Sequence, residues 1–179
     1  MQKTNKTKVI IGCRLSFFHG WEPSSVNGGE PRYSLSAIIR KDDATAVNAI
    51  KAAIEQAKKD GVSKWGGKVP PNLKMPLRDG DIDRPDDENY KGCYFVNCNS
   101  RQAPQIVDAK VQPILDQSEV YSGCYCNISV TFYAYNSNGN RGIAAGLGNI
   151  QKLRDGESLG GRANAADDFS TAQEDDFLS

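Results

Sequence analysis

The stretch CNISVTFYAYNSNGNRGIAAGLGNIQKLR, residues 126–154, predicts a long β-hairpin. In its first ten residues every second side chain, from Cys126 to Ala134, is apolar, and the side chains between them are polar and end in Tyr133 and Tyr135. Successive side chains of a strand point to opposite faces. Asn138-Gly139 is typical of the tight turn that joins two antiparallel strands. One face of the first strand should therefore enter a core, and the other should present two tyrosines to solvent.

Outside this hairpin, short runs of β-branched and aromatic residues predict more strands. They are residues 8–18, 32–40, 90–99 and 105–108, and the first strand of the hairpin is predicted to run from Val120 to Tyr135. One helix is predicted from Asp42 or Asp43, which can accept hydrogen bonds from free first-turn amides, to Gly61. Such a mostly β chain with one long helix is typical of a small barrel that carries an inserted helix.

The charges of the chain divide it into two parts. The full sequence holds 22 Lys plus Arg and 22 Asp plus Glu, but residues 163–179 contain five carboxylates and no Lys or Arg. Residues 1–162 therefore carry 22 basic and 17 acidic side chains, a net charge of about +5. We expect a basic domain over residues 1–162 and a flexible acidic tail over residues 163–179.

A basic domain with aromatic residues on wet surfaces favours single-stranded nucleic acid as the ligand, because phosphates attract cations and any unstacked base can stack on a ring. The candidate phosphate contacts are Lys64, Lys68, Lys74, Arg78, Arg101 and Arg141. The candidate stacking residues are Trp65, Tyr133 and Tyr135, together with Trp21 and Tyr33. The alternatives are that Trp65 anchors its loop to the body, that the tyrosines cover a hydrophobic edge, and that Arg101 is merely solvated.

The pattern of potential catalytic residues argues against an enzyme. The single histidine, His19, lies in a predicted turn, where it lacks an evident nucleophilic partner. An acidic segment, residues 79–88, has oxygen ligands for Mg²⁺, but Arg78 and Arg84 flank or interrupt it, so a solvated loop is the favoured interpretation. A metal-dependent nuclease is the remaining enzymatic alternative.

Five cysteines in a chain without an export signal favour reduced thiols in a cytosol over a disulfide framework. Their spacings do not repeat the pattern of a zinc knuckle, so we expect buried strand cysteines, with no metal and no cofactor. No apolar run approaches the about 20 residues that span a bilayer. The sequence therefore predicts a soluble cytoplasmic protein that does not contact a membrane.

Several blocks of sequence resemble a family of phage-encoded single-stranded DNA-binding proteins that was long catalogued as a conserved domain of unknown function. The blocks are EPSSVNGGEPRY (22–33), WGGKVPPNLKMPLRDGD (65–81), PDDENYKGCYFVN (85–97), SEVYSGCY (118–125), FYAYNSNGN (132–140) and QKLRDGESLGGR (151–162). The resemblance implies an oligonucleotide-binding (OB-fold) barrel of five strands and DNA binding without strong sequence preference. It also implies a role in phage replication or recombination.

The acidic tail resembles those of replication single-strand binders, which contact partner proteins and weaken DNA binding by the body. The tail residues that correspond to this role are Asp167, Asp168, Phe169, Asp175, Asp176 and Phe177. An alternative function is an adaptor, in which the tail recruits replication or recombination enzymes and the barrel does not bind DNA.

Overall fold

β-Branched and aromatic residues concentrate in a few long segments, and these form the main strands in the computed structural model, which describes residues 6–25 and 28–159. The strands are β1 (Lys8–Ser24), β2 (Arg32–Arg40), β3 (Leu77–Asp79), β4 (Cys93–Ser100), β5 (Ile106–Val107), β6 (Tyr125–Ser137) and β7 (Asn140–Arg154). The α-helices are α1 (Ala44–Gly61) and the single turn α2 (Gly80–Asp83). Short 3₁₀ helices occupy Val62–Trp65, Glu88–Tyr90 and Gln117–Glu119.

Five of these strands close into a barrel. β1 pairs antiparallel with β2 and β6, β2 pairs antiparallel with β4, and β6 pairs antiparallel with β7. The barrel closes where β4 meets β7 in parallel, with Asn99 opposite Gly146. β3 and β5 extend the edges of β4 and β7. The predicted five-stranded OB-fold-like barrel with one inserted helix is confirmed.

The interior of the barrel follows the alternation of β6. All five apolar residues of the predicted face are buried, from Cys126 to Ala134. Helix α1 packs its apolar stripe, which includes Val47, Ile50 and Ile54, into the same core. Its predicted start is also found, because the Asp43 carboxylate accepts a hydrogen bond of 3.2 Å from the Ala46 N–H.

β1 continues six residues beyond its predicted end at Phe18, so the prediction of a turn at His19 is wrong. The strand extends this far because it stays paired with β2 as far as Ser24, which lies opposite Arg32. The pairing shifts register between Ser16 and His19, where Phe17 has a positive φ of 46°. Such a bulge adds a residue to one strand and sharpens its bend. In the hairpin, β6 begins at Tyr125, later than the predicted start at Val120.

All five cysteines are buried, as expected from the sequence, and none of them forms a disulfide. Burial raises the pKa of Cys98 to about 12, so this thiol stays protonated at neutral pH. Among the described residues, no helix is long and apolar enough to cross a membrane. The predicted acidic tail, residues 163–179, lies outside the described residues.

Candidate nucleic-acid interface

A groove runs along the outer surface of the barrel where β4, β7 and β6 adjoin. Its floor is β7, whose outward residues Ala144 and Gly146 are small. Tyr133 and Tyr135 of β6 form one wall, since they lie opposite Ala144 and Gly142 in the strand register. Two adjoining cavities of about 440 and 400 Å³ make up the groove. Small residues on the floor thus leave room beside two tyrosine rings.

The opposite wall depends on Gly142. Lys74 pairs there with Gly142 of β7 in a parallel bridge, in which the Lys74 N–H donates to the Arg141 carbonyl at 3.0 Å and the Ile143 N–H donates to the Lys74 carbonyl at 2.9 Å. A Cβ atom on residue 142 would lie 2.5 Å from the Lys74 carbonyl oxygen. Glycine is therefore required for the backbone of this segment to dock against the barrel.

Four cations among the described residues line the groove: Arg32, Lys74, Arg78 and Arg101. Arg32 donates to the Asn99 side-chain oxygen at 2.9 Å. Asp83 pairs with Arg78 at 3.0 Å and Glu30 pairs with Arg101 at 3.3 Å, but neither carboxylate is among the described residues that line the groove. Because these ion pairs are exposed, they hold the cations only weakly. The groove therefore presents positive charge that a phosphate can use.

The structure brings together five of the eleven residues predicted to bind nucleic acid. They are Lys74, Arg78, Arg101, Tyr133 and Tyr135. Tyr133 is the more open of the two tyrosines, with 41% of its surface exposed. Arg141 is exposed at the tip of the same hairpin, and half-buried Tyr33 pairs with Ser100 near the groove. Neither of these two side chains lines the groove itself.

The prediction that Trp65 offers a face to a base is wrong. Its side chain is only 7% exposed and belongs to the hydrophobic core, and its Nε1–H donates to the Tyr135 carbonyl at 3.0 Å. The 3₁₀ helix Val62–Trp65 follows α1 directly and turns the indole beneath the hairpin. The alternative, in which Trp65 anchors its loop to the body, is correct.

Two lysines of this loop also lie away from the groove lining. The Lys64 ammonium donates to the Ala134 carbonyl at 2.9 Å, so it is bound to the β6 backbone. Lys68 is exposed but does not line the groove. Trp21 resembles Trp65, because its ring packs against the core and its Nε1–H donates to the Val120 carbonyl at 3.0 Å. The structure thus gives Lys64 and Trp21 structural partners.

The sequence interpretation missed Arg32, Asn97 and Asn99. All three line the groove. Arg32 begins β2, and Asn97 and Asn99 alternate with the buried residues Val96 and Cys98 of β4. Their alternation was therefore a signal for the outer face, but only the closure of β4 against β7 places them beside the tyrosines.

A second basic cavity, of about 450 Å³, lies on the outer surface of β1, β2 and the ends of β6 and β7. Here the Tyr125 ring centroid is 5.5 Å from the Arg14 guanidinium and 4.1 Å from that of Arg154. Arg14 also donates to the Gly123 and Glu157 carbonyls, and Arg40 pairs with Asp42. Since two guanidinium groups already lie against its Tyr125 ring, this cavity offers an unstacked base less ring surface than the groove does.

The acidic segment of residues 79–88 forms ion pairs and hydrogen bonds within the protein. The Lys41 ammonium lies 2.7 Å from Asp79 and 2.8 Å from Asp81. Hydrogen bonds from Lys41 and from the Gly92 N–H lower the pKa of Asp81. In the described part of the chain, no three His, Cys, Asp or Glu side chains converge as metal ligands would. The carboxylates of this segment therefore serve as helix caps and ion-pair partners.

Comparison with known proteins gives one family match and several similar folds. Residues 7–178 match the family model described as the single-stranded DNA-binding protein of Enterobacter phage Enc34. The chain is 33% identical, over 95% of its length and 97% of the relative, to the putative protein p50 of Acyrthosiphon pisum secondary endosymbiont phage 1.

Several solved structures share the fold, two of which illustrate its range. The single-stranded DNA-binding protein of bacteriophage Enc34, in complex with single-stranded DNA, superimposes with a TM-score of 0.76 at 24% identity, over 89% of this chain and 97% of the other. The gp2.5 single-stranded DNA-binding protein of bacteriophage T7 superimposes with a TM-score of 0.59 at 16% identity, over 91% of this chain and 96% of the other.

Proposed function

The chain belongs to the family of phage single-stranded DNA-binding proteins represented by the Enc34 protein, and on this premise we propose that it binds single-stranded DNA without strong sequence preference. The resemblance expressed by the sequence blocks is thereby confirmed at the level of the family. The proposal concerns the ligand, single-stranded DNA, and the residues that bind it.

One observation carries it: the groove combines two tyrosines with four cations. Tyr133 and Tyr135 are alternate residues of one strand, so their Cα atoms are about 6.8 Å apart and both side chains lie on the groove side. Base stacking on such rings tolerates any sequence, because every base has a π-face. Lys74 and Arg78 on the opposite wall are placed to neutralise the phosphates of the same strand.

The proposed binding is tested by fluorescence anisotropy of labelled oligo(dT) over a series of salt concentrations. For single strands, the logarithm of the association constant falls with the logarithm of salt by about 0.7 for each phosphate contacted. Four groove cations therefore predict a slope of about −3. Absence of binding at low ionic strength, or an affinity indifferent to salt, would contradict the proposal.

We further propose that residues 1–162 form the DNA-binding domain and that residues 163–179 regulate it. The charge split supports this, since a tethered segment with five carboxylates competes with DNA for the groove cations at high effective concentration. A chain that ends at Arg162 should bind oligo(dT) more tightly than the full chain at low salt. Equal affinities would reject the competition.

The tail is also proposed to recruit replication or recombination proteins through Asp167, Asp168, Phe169, Asp175, Asp176 and Phe177. Carboxylates beside an aromatic ring offer a basic, partly apolar partner surface both charge and hydrophobic contact. A pull-down with the full chain should retain a phage polymerase or recombinase that the truncated chain loses. The proposed role is binding without catalysis, so labelled oligonucleotides incubated with Mg²⁺ should remain intact.

A further inference from the structure

Phe17 is an unusual residue on the surface of the barrel. It lies at the β1 bulge between Ser16 and His19, it has a positive φ of 46°, and half of its side chain (51%) is exposed. Positive φ is uncommon for a bulky residue, and bulges often re-aim a side chain near a functional site. The pairing of β1 with β2 sets this backbone conformation, but glycine would adopt it without strain and an exposed phenyl ring does little for the core, so the ring itself needs another explanation.

The ring of Phe17 has a cationic partner. The Arg84 guanidinium lies 4.8 Å from the Phe17 ring centroid, 4.7 Å from that of Tyr90 and 4.9 Å from that of Phe95. Among the described residues, Arg84 forms no ion pair, although Asp83 is its neighbour in sequence. Aromatic contacts thus orient this guanidinium without neutralising its charge.

This pair of residues adjoins the groove. Arg78, which lines the groove, lies over the same Phe95 ring, 5.8 Å from its centroid. Phe95 is itself buried, so it serves as the support for both arginines. A single strand of DNA that leaves the groove past Arg78 would therefore meet Arg84 and then Phe17.

We propose that Phe17 and Arg84 form a further nucleotide-binding subsite that extends the groove. The ligand is an unpaired base, which stacks on the exposed surface of Phe17, together with its phosphate, which accepts hydrogen bonds from the N–H groups at the edge of the Arg84 guanidinium. This inference rests on the proposed function, because the subsite lengthens the path of the same single strand.

The test uses oligo(dT) of 4, 8, 12 and 16 nucleotides, a range that spans the usual length bound by one OB-fold. Phe17→Gly removes the ring and also relieves the positive φ, so it should not lower the unfolding midpoint. Its affinity for the long oligonucleotides should fall by about 5- to 100-fold, the cost of one lost stacking contact. The 4-nucleotide ligand, which the groove alone can hold, should bind as before.

Three further variants separate the possible outcomes. Phe17→Tyr keeps a ring and should keep the affinity. Val111→Gly is the matched control, because Val111 also has positive φ (64°) and 65% exposure but does not line the groove. Tyr133→Ala reports on the groove itself and should weaken binding at every length.

The subsite is overturned if Phe17→Gly binds the long oligonucleotides as the unaltered protein does while Tyr133→Ala weakens them. The proposed function, and the subsite with it, is overturned if the unaltered protein binds no oligo(dT) at low salt. A loss of affinity confined to the longer oligonucleotides in Phe17→Gly, with Phe17→Tyr and Val111→Gly unaffected, supports the subsite.

Discussion

Trp65 and Tyr133 lie close to the same hairpin, yet they have opposite environments. The indole of Trp65 is 7% exposed and is hydrogen-bonded to the Tyr135 backbone, whereas Tyr133 is 41% exposed on the groove wall. Both were predicted to stack on bases because an aromatic ring lies near polar or cationic side chains, which for Trp65 are neighbours in sequence and for Tyr133 share its strand face. The difference shows that such composition alone does not decide whether a ring is available to a ligand.

The backbone makes the difference. In β6 the burial of Phe132 and Ala134 forces Tyr133 outward, because adjacent strand residues point to opposite faces. Trp65 has no such constraint, since it follows α1 in a short 3₁₀ helix and can turn toward the apolar underside of β6. A functional assignment on a regular strand is therefore safer than one in a loop.

The largest expected effect is on stability, in Trp65→Ala. Removing a buried indole should lower the free energy of unfolding by about 3–5 kcal/mol, as measured by urea denaturation. Trp65→Phe, which keeps most of the apolar volume and loses the Nε1–H bond to the Tyr135 carbonyl, should cost less. Unchanged stability in Trp65→Ala together with lost DNA affinity would place the ring on the binding surface and remove the contrast with Tyr133.

Gly142→Ala should affect both stability and binding. A methyl group on residue 142 would displace the Lys74 backbone from β7, which costs about 1–3 kcal/mol of stability by overpacking and moves one wall of the groove. Weaker oligo(dT) binding should accompany the lower unfolding midpoint. Gly12→Ala is the control, because a Cβ on residue 12 would meet only the Asn127 side-chain oxygen, at an ordinary contact distance of 3.5 Å. Equal behaviour of the two variants would mean that the Lys74 segment does not depend on Gly142.

Tyr133→Ala should weaken binding and leave stability nearly unchanged, the opposite of the effect expected for Trp65→Ala. Loss of one stacking ring should weaken oligo(dT) binding by about 1–3 kcal/mol, while the unfolding free energy changes little because the side chain is exposed. Tyr133→Phe keeps the ring and should retain most of the affinity in the same anisotropy assay. An unaltered affinity in Tyr133→Ala would show that this ring does not contact DNA.

The smallest effect concerns the salt dependence of binding. Arg78→Gln removes a groove cation and should reduce the magnitude of the salt slope by about 0.7. Lys68→Gln removes an exposed cation that does not line the groove, so the slope should stay the same. If Lys68→Gln changed the slope and Arg78→Gln did not, the strand would follow a path outside the groove.

The parts of the fold with strict periodicity were predictable from the sequence. The alternation of β6 and the capped, amphipathic helix α1 each impose one arrangement of buried residues, and both were found as expected. The bulge at Phe17 was not predictable, since it arises from the pairing of β1 with β2. The groove was predictable only in part, because Arg32 and Asn99 join the tyrosines through barrel closure between β4 and β7.

The central claim, that strand-borne tyrosines and not the loop tryptophan contact the DNA, is tested most directly by photocrosslinking. Oligo(dT) that carries 5-iododeoxyuridine would be irradiated with the full chain, and the crosslinked peptides would be identified by mass spectrometry. The account predicts crosslinks at Tyr133 or Tyr135 and none at Trp65. Crosslinks at Trp65, with neither tyrosine modified, would contradict it.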